Sequence, residues 1–312
     1  MWYGRPVRSD TVTFFSEGTP VTGTLRLPDA PAGPLPGIVQ GPGWLGLRDA
    51  ALYEPYHEAL TDAGFAVLIF DYRGFGDSGG DRGSLSPRMQ LEDLINAVTW
   101  LGSHPQVDPE RIGVFGSGGT GGGNAVLLAA HDDRVRCAVS QVPVADGADW
   151  LRRMRATEDD WRAFLDRLAA DRARRVRTGS GETVHPREEI MIPSAERRTA
   201  NVKKDVDGRI PTSVPLAAAD EILAYRPVDA AVRAPALCVV AVDGDVVTPT
   251  DHAEALYAAA PAPKQLIMQY DTTHYAAYRQ HGPEVIPRIV DWFIRHIGGP
   301  VGIEETVLEV RE

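Results

Sequence analysis

The chain has 312 residues, of which 43% are hydrophobic and 24% are charged, a composition typical of a globular protein with a sizeable core. This composition excludes disordered and collagen-like proteins. The formal net charge of −11 disfavours nonspecific binding to nucleic acid or to anionic membranes, so we expect a small-molecule substrate.

The cysteines and the start of the chain bear on the cellular compartment. Cys137 and Cys238 each lie in an apolar run that predicts a buried strand, so we expect inert thiols in a reducing compartment. No run approaches the ~18 apolar residues of a membrane span, and residues 1–10 lack the apolar core of a signal peptide. We therefore expect a cytoplasmic protein without a membrane partner.

Taken in chain order, the first elements are two alternating segments, residues 11–15 and 21–27, which predict an antiparallel hairpin with a turn at residues 18–20. From Pro36 onward, short continuous apolar runs alternate with helical patterns, as in a parallel sheet covered by helices. The predicted strands are residues 37–39, 66–70, 112–115, 135–140, 236–242 and 265–270. Apolar residues at helical spacing predict helices around residues 91–101 and 286–297.

An insertion interrupts this alternation, because no strand is predicted between Gln141 and Ala236. Thr157 and Asp160 predict a helix start within it, and residues 149–205 carry a net charge of +3. We expect a helical lid whose charges form exposed ion pairs. Alternatively, some arginines face the cleft and favour an anionic or carbonyl-rich substrate. The arginines considered are Arg152, Arg153, Arg155, Arg187, Arg197 and Arg198.

The most informative segment is residues 111–124, RIGVFGSGGTGGGN, a predicted strand followed by a glycine-rich turn and a helix. A phosphate-binding P-loop requires a lysine that is absent, and a dinucleotide-binding turn would open the first parallel unit. A nucleophile elbow fits better, because its glycines permit a strained turn that exposes one residue above the sheet.

At this point the sequence resembles the α/β-hydrolase superfamily, and its dienelactone-hydrolase, cocaine-esterase and prolyl-dipeptidyl-peptidase-like branch. The segments that carry the resemblance are GPGW at 41–44, FDYRGFGDSG at 70–79, VDPERIGVF at 107–115 and SQVP at 140–143. The resemblance implies an α/β fold with a mostly parallel central sheet. We expect residues 1–141 and 234–312 to form this core and residues 142–233 to form the inserted lid, or cap.

The resemblance also implies a catalytic acid and base. Asp245, in the DGDVVTP segment, is the expected acid, and Asp243 is the near alternative. His274, in the loop after the last predicted strand, is the expected base, and His281 is a weaker candidate. Their order along the chain is that of a Ser-Asp-His arrangement.

The expected serine is missing, because the nucleophile position holds Gly118. The neighbouring hydroxyls of Ser117 and Thr120 are alternative nucleophiles, although a shift of one residue on a tight turn points a side chain away from the crevice. Three explanations remain open. Gly118 is an introduced substitution in a serine hydrolase, or it is natural in an enzyme that moves protons without an acyl-enzyme, or the chain only binds ligands.

The remaining machinery is implied to be intact. The backbone N–H groups of Trp44 and Gly119 would form an oxyanion hole. We therefore expect cleavage of an ester, amide or activated C–C bond next to a carbonyl, without metal or organic cofactor. The alternatives are a nucleophile-free lyase, decarboxylase or cyclase, and a ligand-binding pseudo-hydrolase. Residues 302–312 predict a late strand or a contact between subunits of a homodimer.

Overall fold

The computed structural model describes residues 7–29, 31, 33–199, 205–297 and 305–310. Its larger strands are β1 Val7–Ser16, β2 Thr19–Pro28, β3 Leu35–Gly41, β4 Ala66–Phe70, β5 Val107–Gly118, β6 Val135–Pro143, β9 Leu237–Val242, β10 Lys264–Gln269 and β11 Glu305–Val310. Two short strands, β7 Thr183–Val184 and β8 Val214–Pro215, pair with each other in the insertion. In the part of the chain described, the larger strands form one nine-stranded sheet in the order β1-β2-β4-β3-β5-β6-β9-β10-β11. Within the described part of this sheet, only the pairs β1–β2 and β2–β4 are antiparallel.

The helices are α1 Glu54–Asp62, α2 Pro87–Gly102, α3 Gly119–His131, α4 Gly147–Arg153, α5 Glu158–Thr178, α6 Ala195–Thr199, α7 Ala218–Leu223, α8 Pro227–Ala230, α9 Thr250–Ala259, α10 Ala277–Gln280 and α11 Gly282–His296. On one side of the sheet, α2 packs against α3, and α8 contacts both α3 and α9. On the other side, α1 packs against α11. The sheet therefore lies between two helical layers.

The burial of the strands follows from these layers. Every residue of β4 and β9 is buried, because helices cover both faces of a parallel sheet and leave neither face to water. The α/β fold and the antiparallel opening hairpin are confirmed. The hairpin turn lies at Glu17 and Gly18, both with positive φ, one residue earlier than predicted. Cys137 and Cys238 are free thiols inside β6 and β9, fully buried as expected.

The segment between β6 and β9 holds the short β7–β8 pair and the helices α4 to α8. Helix α5 begins with a capping box in which Thr157 and Asp160 each satisfy the other's backbone N–H, as the sequence predicts. At the edges of the segment, β6 continues through Pro143 and α8 packs on α3 of the core. We use the word lid for residues 144–226, which hold α4 to α7; helix α7 also contacts α2 of the core.

The end of the chain adds a strand to the sheet. Strand β11 pairs with β10 in parallel, with Lys264 opposite Glu305 and Gln269 opposite Val310. Of the two predictions for this segment, the structure has the late strand. No helix in the described ranges is both long and apolar enough to cross a membrane.

Candidate active site

The turn between β5 and α3 is shaped by glycines. A Cβ on Gly116 would lie 2.0 Å from the carbonyl oxygen of Gly121, so only glycine allows the strand and the helix to approach this closely. Gly118, the last residue of β5, has a φ of +76° and a ψ of 124°. A Cβ there would meet only Gly43 Cα at 3.6 Å and Tyr278 Oη at 3.9 Å. A Cβ at residue 118 would therefore make only ordinary van der Waals contacts.

Asp245 and His274 are joined at the carboxyl ends of neighbouring parallel strands. Asp245 follows β9 and His274 follows β10, and Asp245 Oδ2 lies 2.7 Å from His274 Nδ1. Both side chains are buried. Asp245 also accepts hydrogen bonds from the N–H groups of Val247 and Thr248 and from the Thr248 hydroxyl. The structure thus brings the predicted acid and base into direct contact.

The surroundings of Asp245 keep it ionised. Burial by itself raises the pKa of the carboxyl, but the charge of His274 and the hydrogen bonds from His274, Thr248 and Val247 outweigh burial and lower the pKa below its usual value. An ionised carboxylate can only accept, so the Nδ1 of His274 carries the proton that it shares with Asp245. The basic atom left on the imidazole is Nε2.

The near alternatives for acid and base have other environments. Asp243 is exposed, and its N–H donates to the carbonyl of Gln269 across the β9–β10 pair. His281 is buried at the start of α11, where its Nε2 lies 2.9 Å from the carbonyl oxygen of Tyr270. Neither residue shares the Asp245–His274 contact.

A narrow cavity of about 50 Å³ lies over the elbow, and Gly118, Trp44, Thr248, His274 and Tyr278 are part of its lining. A second cavity of about 220 Å³ adjoins it on the lid side. The residues common to both linings are Trp150, Met191, Arg197, Val247 and Tyr275. Together the two cavities form one cleft between the core and the lid.

The two hydroxyls next to Gly118 do not line this cleft. Ser117 is fully buried, and its Oγ lies 2.7 Å from Tyr278 Oη and 3.5 Å from Gln141 Oε1. Thr120 is fully buried as well, and its Oγ1 has no hydrogen-bond partner within the residues described. Among the described residues, the cavity over Gly118 is lined by neither serine nor cysteine, and the second cavity is lined by one serine, Ser194.

The predicted oxyanion hole has one unexpected feature, the orientation of the peptide between Gly118 and Gly119. The carbonyl oxygens of Ser117 and Gly118 lie 3.1 Å and 3.4 Å from the position a Cβ would take on Gly43, so both oxygens lie beside the Gly43 loop. Since C=O and N–H of a trans peptide point in opposite directions, the Gly119 N–H points away from the Gly43 loop. Gly119 instead bridges Pro143 of β6, and its carbonyl accepts from the N–H of Val144.

This orientation departs from the sequence-based expectation that Gly119 N–H serves as an oxyanion donor. The physical reason is that Gly118 and Gly119 both have positive φ, which two consecutive glycines allow without steric cost. The other expected donor lies on the Gly43 loop. Trp44 lines the cavity, and the Tyr53 hydroxyl supports this loop by accepting from the N–H of Gly43 at 3.2 Å.

The six arginines considered from the sequence divide into two groups. Arg187 and Arg197 line the cavity over Gly118, and Arg153 lines the second cavity while pairing with Asp149 and Asp251. The others serve the lid itself: Arg152 pairs with Glu158, and Arg198 lies 3.9 Å from Glu188.

Arg155 is a structural residue of the lid. Its guanidinium donates to the carbonyls of Leu151, Glu189 and Ile190, and it lies 3.7 Å from the centre of the Phe164 ring. Burial lowers the pKa of Arg155 to about 10. Arg155 therefore joins α4 to the following lid segment and is not a cleft residue.

Sequence reasoning missed three residues that shape the site. Thr248 holds the Asp245 carboxylate, Tyr278 faces the vacant position at Gly118, and Glu196 of the lid contacts the loop that carries His274. Thr248 could have been found from the sequence, because it is the threonine of the DGDVVTP segment. No metal site competes with this arrangement in the described ranges, where no cluster of three or more His, Cys, Asp or Glu is placed to hold an ion.

A parallel sheet between helical layers, a glycine elbow, and an Asp-His pair at the adjoining strand ends define an α/β hydrolase. Residues 17–275 match the sequence profile of the X-Pro dipeptidyl-peptidase (S15) family, and the chain belongs to that family of hydrolase-like enzymes.

The chain is also similar to individual proteins. The "uncharacterized 31.7 kDa protein in traX-finO intergenic region" of Escherichia coli is 34% identical over 273 residues, which cover 84% of this chain and 91% of that protein. A polyketide transferase of a Penicillium species is 30% identical over 213 residues, 68% of this chain and 62% of the relative. The solved structure of DcsB with its substrate analogue superposes with a TM-score of 0.76 at 21% identity, covering 94% of this chain and 100% of DcsB. At that identity the structural match supports the fold alone.

Proposed function

We propose that the protein hydrolyses an acyl compound at the bond between the carbonyl carbon and the leaving group. His274 is the general base, and water takes the place of a serine hydroxyl. The observation that carries the proposal is the buried Asp245–His274 hydrogen bond of 2.7 Å beside a cavity lined by Gly118. A general base needs a positioned imidazole with a free nitrogen, and the ionised Asp245 supplies the orientation.

In this scheme His274 Nε2 takes a proton from water while the water oxygen attacks the carbonyl carbon. The tetrahedral intermediate then collapses, and the same proton passes to the leaving group, so His274 ends neutral. The open space at Gly118 is where we place the water molecule, with Tyr278 Oη 3.9 Å from the Cβ position as a second polar neighbour. Tyr278 stays protonated, because burial raises its pKa well above the usual value.

The substrate class is a small, carbonyl-rich acyl compound. Arg187 and Arg197 in the cavity lining favour carbonyl or anionic groups, and the relative named as a polyketide transferase points to an acyl chain of that kind. The cleft lies between core and lid, so we propose that the lid, within residues 142–233, covers a bound substrate. A cytoplasmic location remains part of the same proposal.

A second candidate function is that of a serine hydrolase in which glycine has replaced the nucleophile. The room around a Cβ at Gly118 favours it, because the nearest atom would be 3.6 Å away, an ordinary van der Waals contact. The same Asp245–His274 pair would also suit a lyase, decarboxylase or cyclase that moves a proton without water attack, and a pure binding protein would use only the cleft.

Turnover of acyl substrates in ¹⁸O-water tests the proposal. We expect a panel of p-nitrophenyl esters and acyl thioesters to give acids with one ¹⁸O atom, while the mass of the quenched protein shows no acyl adduct. His274→Ala should abolish this activity, and the exposed His131→Gln is the matched control. Full activity of the His274→Ala protein, or an acyl adduct on the wild-type chain, would contradict the proposal.

A further inference from the structure

The loop that carries His274 is held by the lid as well as by the core. Glu196, in helix α6, accepts a hydrogen bond from Thr273 Oγ1 at 2.6 Å and another from the N–H of Tyr275 at 3.0 Å. The same carboxylate oxygen therefore bonds both chain neighbours of His274. Asp245 fixes the imidazole only through Nδ1, and Glu196 adds a second hold through the Thr273 hydroxyl and the Tyr275 N–H.

The aromatic ring next to His274 strengthens this link. The Tyr275 ring stands edge-on to the imidazole, with ring centres 4.7 Å apart. Arg197, which follows Glu196 in α6, has its guanidinium 5.7 Å from the Tyr275 ring centre. One turn of the lid thus contacts both residues that flank the predicted base.

We propose that Glu196 is a positioning residue through which closure of the lid sets the orientation of His274. The inference rests on the proposed function for its catalytic consequence. When α6 lies on the His274 loop, as here, Nε2 is held toward the cavity over Gly118; when α6 withdraws, the loop loses two hydrogen bonds and the imidazole loses its alignment. Catalysis is then confined to the closed, substrate-filled cleft.

Three lid variants test this role. Glu196→Ala should lower kcat by about 10- to 100-fold with KM little changed, because a misplacement of ~1 Å costs up to ~10²-fold in rate. Glu196→Gln keeps an acceptor oxygen and should restore most of kcat. Glu188→Ala removes the same charge from the lid without contacting the His274 loop and should behave as wild type.

A proton NMR readout separates this inference from the proposed function. The Nδ1 proton between His274 and Asp245 should give a downfield resonance, assigned by its loss in His274→Ala, whether or not the protein turns over any substrate. We expect it to broaden in Glu196→Ala and to stay sharp in Glu188→Ala. Equal resonances and equal kcat in these two variants would overturn the role of Glu196, whereas no turnover by any variant would overturn only the proposed function.

A second inference rests on a different observation, the peptide between Gly118 and Gly119. Its carbonyl now faces the Gly43 loop, where a developing oxyanion would repel it. We infer that this peptide rotates when a substrate carbonyl binds, so that the Gly119 N–H replaces the Gly118 oxygen. Rotation needs a change of φ at Gly119 from its present +42°, which glycine makes without steric cost.

A substitution at Gly119 tests the rotation, because we expect it to raise kcat/KM instead of lowering it. A Cβ there would meet only Val144 Cγ2, at 4.0 Å, so Gly119→Ala introduces no clash. The substitution does destabilise the present conformation, with its positive φ, by ~1–2 kcal/mol. If the rotated conformation is the active one, kcat/KM should rise by ~5- to 30-fold. Gly179→Ala, at a lid position with φ +75° and nothing within 4 Å, imposes a similar penalty and should leave kcat/KM unchanged.

The free Gly119→Ala protein should also crystallise with a negative φ at residue 119. An unchanged φ, or a negative φ accompanied by lower activity than wild type, would overturn the rotation. The crystallographic result stands even if no substrate of the wild-type protein is found.

Discussion

Ser117 and Tyr278 are joined by a hydrogen bond of 2.7 Å between their hydroxyl oxygens, beneath the turn that would carry a nucleophile. The Ser117 hydroxyl is thereby engaged in the interior, while the Gly118 position above it is open. This difference between adjacent residues decides which of them can act as a nucleophile.

A fluorophosphonate probe should therefore leave the wild-type protein unlabelled. Gly118→Ser should be labelled at residue 118, because it places a hydroxyl beside the cavity that His274 lines. Its φ of +76° is strained for an L residue, as a nucleophile elbow requires. Mass spectrometry of the labelled peptide checks the site, and the Ser117→Ala, Gly118→Ser double variant is the control. Label on Ser117 of the wild-type chain would make the protein a conventional serine hydrolase.

Asp245 should matter far more than Asp243 for activity. Asp245→Asn loses the carboxylate that orients His274, an effect that reaches ~10⁴-fold in kcat in other hydrolases, whereas Asp243 is exposed at the end of β9. We expect Asp243→Asn to stay within a few-fold of wild type. Steady-state kinetics of the two variants on one substrate provide the comparison, and the reverse ranking would assign the acid to Asp243.

His57 should make the protein less stable as the pH falls. Burial, followed by the charge of Arg26, lowers the pKa of His57 to about 3, and Gln40 accepts its hydrogen bond. Between about pH 6.5 and pH 3 the unfolded chain binds a proton that the folded protein does not, so stability falls with decreasing pH. From pH 7 to pH 5 the loss at this site is about 2 kcal/mol.

Urea unfolding of His57→Gln at pH 7 and pH 5 measures this contribution. The variant should lose about 2 kcal/mol less than wild type over that interval, and the exposed His131→Gln should match wild type. An identical pH dependence in His57→Gln and wild type would show that His57 is protonated in the folded protein.

Arg187 and Arg197 should give anionic ligands a salt-dependent affinity. Charges at a partly open cleft are screened over ~8–10 Å at ordinary ionic strength, so binding of a carboxylate-bearing acyl analogue should weaken as salt rises. Arg187→Gln and Arg197→Gln should reduce both the affinity and its salt dependence, while Arg152→Gln, paired with Glu158 on the lid, should not. Calorimetric titrations at salt concentrations from about 50 to about 500 mM would measure these affinities. Salt-independent binding would place the two arginines among the structural ion pairs.

The apolar runs were sufficient to predict most of the sheet, and the family resemblance supplied the pair of catalytic candidates. The strands β4 and β9 are continuous apolar runs, and such runs are typical of strands that helices cover on both faces. The resemblance to α/β hydrolases implied Asp245 and His274, and the structure has them after β9 and β10, neighbouring parallel strands whose carboxyl ends meet at one edge of the sheet.

The remaining features depend on contacts between distant parts of the chain. Glu196 meets Tyr275 across 79 residues of sequence, and nothing in the segment around Glu196 marks it as a partner of the His274 loop. The peptide between Gly118 and Gly119 could not be oriented from the sequence either, because glycine populates both signs of φ. Tertiary packing on Pro143 and Val144 decides its direction.

The lid contacts the Gly43 loop through a pair of tryptophans. Trp44 and Trp150 stand edge to face with ring centres 6.1 Å apart, both buried, and the Trp150 indole donates to the carbonyl of Val247. Two indoles this close couple their electronic transitions, so the closed cleft has its own near-ultraviolet circular dichroism. When α4 swings away, that signal should collapse and the emission of both rings should shift to the red. If the lid moves as we propose, these tryptophans report the movement, and stopped-flow spectroscopy can follow it without an attached dye.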